Sequence, residues 1–223
     1  MTSTATGPTS PSPEAVDGKD LTFEELQDLY GPWRPWRPDE VLRRFAAAPF
    51  PWWVAGGWAA EAGGAAPREH EDTDVVVLHR DVAAVREWLA DHHLWEAHQG
   101  SLRPLRPGAA LAEGREQLWV RRNAASPWVL DLLLTPSDGD TWLFKRDERV
   151  RLPLASVGWT AADGVSYLQP QVVLLFKAKH RRPKDDADFR SLVPHLTDDA
   201  RRWLLGALTV VHPGHQWLTH LRT

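Results

Sequence analysis

Cysteine is absent from the 223 residues. That excludes disulfide bridges, thiolate metal sites and a cysteine nucleophile in one step. No run of 18 or more apolar residues occurs, so the sequence predicts no membrane-spanning helix. A positive surplus is missing as well: 26 Lys and Arg stand against 30 Asp and Glu, giving a formal net charge of -4 at pH 7. A grip on long nucleic acid usually needs a basic surplus, so this balance favours a small, cationic partner. Residues 1–20 have neither the basic start nor the apolar stretch of a secretory signal. Their Thr, Ser, Pro and Gly content predicts a disordered tail. These absences together fit a cytoplasmic protein.

What is present suffices for a buried core. Hydrophobic residues make up 43% of the chain, and 13 of them are Trp, expected mainly in core packing. Pro38, Asp39 and Glu40 ahead of Val41, Leu42 and Phe45 predict a helix start. Residues 52–55 read as a strand ended by Gly56-Gly57, followed by a short helix over 58–62. Residues 73–78 read as a buried strand. Asp81 has the position of an N-cap for a helix carrying Val82, Val85 and Leu89 on one face. Two more strands are predicted at 118–122 and 129–134. After about residue 150 the pattern becomes helical, over 172–180, 184–193, 197–211 and 215–221. The expected fold is α+β: a small mixed sheet with flanking helices in residues 21–150, a mainly helical lobe in 151–223, and a cleft between them.

The chemistry concentrates in Arg68-Glu69-His70-Glu71-Asp72-Thr73-Asp74. Asp72 and Asp74 stand two apart as the chain enters a strand, so period two puts both on one face, roughly 6.5–7 Å apart by strand rise. Such a pair can converge on hard cations such as Mg²⁺, which take oxygen ligands. A two-metal site wants ions about 3.5–4 Å apart, clamping the attacking and leaving oxygens of an in-line displacement. Asp131 is the best third carboxylate, because it interrupts the apolar run from Trp128 to Leu134. A lone buried Asp costs several kcal/mol unless it is paired or metal-bound. Gly56 and Gly57, between a strand and a helix start, let phosphate oxygens approach backbone N–H groups. Lys177 and Lys184 are candidates for neutralising phosphate charge. Asp185 and Asp188 are expected to serve their helix as N-terminal charges and a structural hydrogen bond.

These residues resemble the nucleotidyltransferase superfamily of DNA polymerase β type. They look most like the aminoglycoside 2''-adenylyltransferases and lincosamide nucleotidyltransferases. The resemblance is close over residues 52–77 and reaches Asp131 by position. It implies that Asp72 and Asp74 hold Mg²⁺ and the phosphates of an NTP, with ATP the expected one. It implies that Asp131 completes the metal site or deprotonates an acceptor hydroxyl. Gly56 and Gly57 would hold the triphosphate, with Arg68 and His70 beside it. The family departs from this chain at Glu61, where relatives carry Asp, and at Ala65, where they carry a basic residue. The implied partner is a small-molecule acceptor such as an aminoglycoside-like antibiotic. The alternatives are transfer to tRNA or protein, and a nucleotide-binding protein without catalysis.

Overall fold

The computed structural model describes residues 22–222. Helices α1 (Phe23–Tyr30) and α2 (Pro38–Phe45) come first. Then follow β1 (Trp52–Val54), α3 (Gly56–Ala62), β2 (Asp74–Leu78), α4 (Val82–Trp88), β3 (His93–His98) and β4 (Ser101–Pro104). Strands β5 (Gln117–Arg121), β6 (Trp128–Thr135), β7 (Ser137–Asp138), β8 (Thr141–Leu143), β9 (Arg151–Pro153), β10 (Gly158–Thr160) and β11 (Ser166–Leu168) complete the β structure. The chain ends in α5 (Pro170–Lys177), α6 (Pro183–Leu192), α7 (Asp198–Val211) and α8 (Trp217–Leu221).

The main sheet runs β10-β11-β1-β2-β6-β5-β3-β4, and a small second sheet runs β7-β8-β9. Pairing is mixed: β1 lies parallel to β11 and β2 parallel to β6, while the other neighbours in the main sheet are antiparallel. The two central strands are apolar on both faces, as strands covered on both sides must be. Val75, Val76, Val77 and Leu78 are all buried, as are Leu130, Leu132 and Leu134. The α+β expectation holds, with the mixed sheet and the helical C-terminal portion both present.

Several boundaries moved, three of them with consequences for the site or the sheet. Helix α3 begins at Gly56, because a glycine at φ 60° opens its first turn. Strand β2 begins at Asp74, so Asp72 lies in the approach to the strand. The expected break near residue 150 does not coincide with the change from strands to helices, which comes at Pro170. Strands β10 and β11 fall after it and join the main sheet through the pairing of Val54 with Tyr167. They are three residues each, too short to show an alternating pattern. Gly164, at φ 84°, makes the turn between them possible.

The segment from Pro32 to Trp36 extends the sheet beyond the start of β2. Trp128 N–H donates to Pro32 O, Arg34 N–H to Trp128 O and Trp36 N–H to Val129 O, each at 2.9 Å. Behind it, Leu26 and Tyr30 of α1 and Trp33 pack on a second apolar cluster built from Ala97, Trp119 and Trp128. The Thr73 hydroxyl, fully buried, donates to Trp36 O at 2.7 Å. This ties the segment to the residue between the two acids. Replacing that hydroxyl by a methyl leaves a carbonyl short of a partner, which costs about 1–3 kcal/mol. Thr73→Val is therefore expected to lower stability by that amount in urea unfolding with an unchanged m-value; an unchanged midpoint would mean that the bond contributes nothing.

Candidate active site

The C-terminal end of β1 and the start of β2 are clamped together, with Ala55 N–H donating to Asp74 O at 2.9 Å. A Cβ on Gly56 would overlap the Asp74 carboxylate, and one on Gly57 would overlap the side chains of Arg68 and His70. The glycine pair thus lets the acidic residue and the 68–70 loop lie directly against the first turn of α3. That turn carries N–H groups without intrahelical acceptors. The parallel register of β2 with β6 makes Asp74 and Asp131 Cα partners on adjacent strands. Thr73 turns into the fold toward Trp36, and Asp72 beside it lies near enough to Asp74 for its charge to act there.

Three carboxylates crowd this end of the sheet, and all three are pushed toward the neutral form. Burial, then the charge of Asp72, raises Asp74 to about 7. Burial also raises Asp72, opposed by Lys184. Asp131 lies well above the usual carboxylate range, first through burial and then through the charges of Asp74 and Asp72. Only 5% of Asp131 is exposed. Its Oδ2 accepts from Gln117 Nε2 at 2.5 Å and from Trp119 Nε1 at 3.2 Å. Its Oδ1 is buried without a hydrogen-bond partner among the described residues.

Basic groups surround the acids unevenly. Lys184 pairs with Glu71 at 3.1 Å and faces Asp72 from α6. Arg68 is partly exposed and lies 3.7 Å from Asp188. Lys177 and His70, expected beside the phosphates, both have partners within the protein, and the charge of Lys177 also acts on Asp74. Lys177 is buried, its ammonium held by Asp188 at 2.8 Å and Asp185 at 3.4 Å. An ammonium removed from water needs such partners. His70 bonds Glu61 at 2.9 Å and stacks on Trp58 at 4.1 Å; burial lowers its pKa. Asp185 caps α6 with Arg182 and Asp188 holds Lys177, the structural roles expected of them. The sequence reading passed over Lys145, Arg182 and Gln117. Lys145 pairs with Glu116 at 3.6 Å, and its charge acts on both Asp74 and Asp131. Arg182 acts on Asp72 and Asp74 while it bonds Asp185. Lys145 follows a three-residue strand and carries no motif of its own, so only the fold reveals it.

Among the described residues, no group of three or more His, Asp or Glu side chains could hold a metal ion alone. The acids do fit a hard divalent cation that takes its remaining oxygens from a bound phosphate, the usual manner of Mg²⁺. They are oxygen donors, they repel one another, and the buried Asp131 Oδ1 lacks a partner. Such a cluster can bind a nucleotide with its cation and neutralise charge on transferring phosphate.

A family model described as aminoglycoside-2''-adenylyltransferase matches residues 39–116, from α2 to just before β5. The solution structure of the antibiotic-resistance factor ANT(2'')-Ia matches with a TM-score of 0.50 and 14% identity, over 82% of this chain and 92% of that one. The crystal structure of ANT(2'')-Ia in complex with adenylyl-2''-tobramycin matches with a TM-score of 0.50 and 13% identity, over 76% of this chain and 94% of that one. No curated protein sequence matches the chain. At these identities the shared property is the fold, that of ANT(2'')-Ia. The particular proteins the chain resembles are aminoglycoside adenylyltransferases, which are nucleotidyltransferase enzymes. Among the described residues no helix is long and apolar enough to cross a membrane.

The raised acids have a stability consequence. A carboxyl whose pKa is higher folded than unfolded stabilises the fold at low pH, and that stability is lost as pH rises past its unfolded value near 4. Asp131→Asn removes the charge while keeping an oxygen for Gln117 and Trp119. It is expected to raise the melting temperature at pH 7 by roughly 2–4 °C, with the gain shrinking toward pH 4. A variant less stable than wild type at pH 7 would show that the charged carboxylate is a net stabiliser.

Proposed function

We propose that this protein transfers a nucleoside monophosphate, AMP, from ATP to a hydroxyl of an aminoglycoside-like acceptor. The observation that carries the reading is the carboxylate cluster: Asp74 in register with Asp131, seated against Gly56, with Asp72 beside it. The match to an adenylyltransferase family over residues 39–116 supports the donor and the class of acceptor. So does the likeness to a structure solved with adenylyl-2''-tobramycin.

In this reading Asp72 and Asp74 would hold Mg²⁺, and Asp131, whose buried Oδ1 has no hydrogen-bond partner among the described residues, would be a further ligand or the acceptor of the hydroxyl proton. When bound, Mg²⁺ supplies positive charge against the phosphates and orients them. The acceptor oxygen forms a bond to the α-phosphorus, the bond from that phosphorus to pyrophosphate breaks, and the hydroxyl proton leaves to a carboxylate. The backbone of Gly56 and Gly57 faces the triphosphate. Arg68, Lys184 and Lys145 would contribute positive charge. Lys177 and His70 act from behind, holding α6 and the 68–72 loop in place. Most of the rate enhancement comes from positioning and fixed charge. Use of ATP fits a cytoplasmic enzyme.

Calorimetric titration with a non-hydrolysable ATP analogue, with and without MgCl₂, tests the site. Transfer of radiolabelled AMP to tobramycin tests the reaction. Mg²⁺-dependent binding and transfer are expected, with Asp72→Ala and Asp74→Ala each losing at least about 100-fold in kcat. Wild-type transfer in either variant rejects the assignment of the carboxylates, and binding without transfer to any acceptor favours a non-catalytic role.

A further inference from the structure

Asp131 receives two donors, and both reach the same oxygen. Gln117 Nε2 and Trp119 Nε1 donate to Oδ2, while Oδ1 is left without a hydrogen-bond partner among the described residues. The donors stand two apart on β5, so both share the face that carries Asp131. Trp119 is the Cα partner of Asp131, and Gln117 that of Leu133. The terminal torsion of a carboxylate is broad and roughly two-fold, so an unrestrained Asp131 would present either oxygen in a range of planes. Two N–H groups on one oxygen remove that freedom.

Trp119 is itself held from behind. Its ring meets Trp33 edge-on at 4.9 Å and Trp128 at 5.4 Å. Trp128 is tied to the end of α1 by its Nε1–H, which donates to Tyr30 O at 3.0 Å. The segment that carries Trp33 is in turn bonded along β6 at Trp128 and Val129. A chain of packed groups thus runs from the N-terminal segment through Trp33 and Trp119 to one oxygen of Asp131.

The geometry points to Gln117 and Trp119 as positioning residues for the transfer reaction: they pin Asp131 Oδ2 so that Oδ1 faces the reacting groups, with Trp33 bracing Trp119. The inference rests on the reading of Asp131 as part of the active site. Trp33, Gln117 and Trp119 all lie outside residues 39–116, so the device owes nothing to the family match there. Removing a hydrogen-bond partner that orients a reacting group typically changes activity about 10–100-fold.

Trp119→Phe keeps a ring against Trp33 and Trp128 but deletes the N–H, and Gln117→Leu deletes the amide. Each is expected to lower kcat for AMP transfer to tobramycin by about 10–100-fold, with the KM for ATP and the melting temperature close to wild type. The double variant is expected to fall no further than Asp131→Asn, since both residues act through that carboxylate. A second readout does not need turnover. The indole ¹⁵N–¹H resonance of Trp119, identified by its absence in Trp119→Phe, should move when MgCl₂ and a non-hydrolysable ATP analogue are added, and should stay still in Asp131→Asn. Wild-type kcat in both single variants overturns the inference, and so does an indole resonance that ignores the nucleotide. Should the wild type transfer nothing to tobramycin, that result counts against the proposed reaction, and the indole resonance alone decides the role of Trp119.

Discussion

Three carboxylates at one end of a mixed sheet, Asp131 buried, Asp72 and Asp74 half-buried, and each in the field of another, set the conditions that the surrounding structure has to meet. The parallel register of β2 with β6 brings Asp74 beside Asp131. A glycine at position 56 makes room for the Asp74 side chain. Burial and mutual repulsion raise all three pKa values. Bringing these acids together works against the charged form of each. That is a reason for a site to be less stable than an apolar substitute would be.

The C-terminal helices answer the same problem from the other side. Lys177 is buried against Asp185 and Asp188, and Arg68 reaches Asp188 across the loop that leads to Asp72. Lys184 adds a surface pair with Glu71. A buried ion cluster is weak evidence for net stability, but breaking it leaves uncompensated charge. Its geometry therefore fixes where α6 sits relative to the 68–72 loop. Arg182 remains close enough to act on Asp72 and Asp74 while bonded to Asp185. The positive charge near the acids thus comes both from the buried Lys177 and from partly exposed side chains, Lys184 and Arg182.

The sequence by itself determined the acids and the glycines. Asp72 and Asp74 two apart at a strand entrance, Asp131 inside an apolar run, and Gly56-Gly57 between a strand and a helix are local patterns, and local sterics and hydrophobic periodicity suffice to read them. The same holds for α2, α6 and α7, whose starts carry Pro or Thr with acids in the first turn. Only the tertiary structure decided which cations face the acids. Lys177 and Lys184 look alike in the sequence, yet one is sealed into an ion cluster from which its charge acts on Asp74, and the other pairs with Glu71 and acts on Asp72; Lys145, with no motif around it, also acts on Asp74. Strands β10 and β11 were hidden for a related reason, since three residues are too few to show a period and their stability comes from β1 beside them. Charge partners and short strands depend on contacts between residues far apart in the chain, and a linear pattern carries no record of those distances.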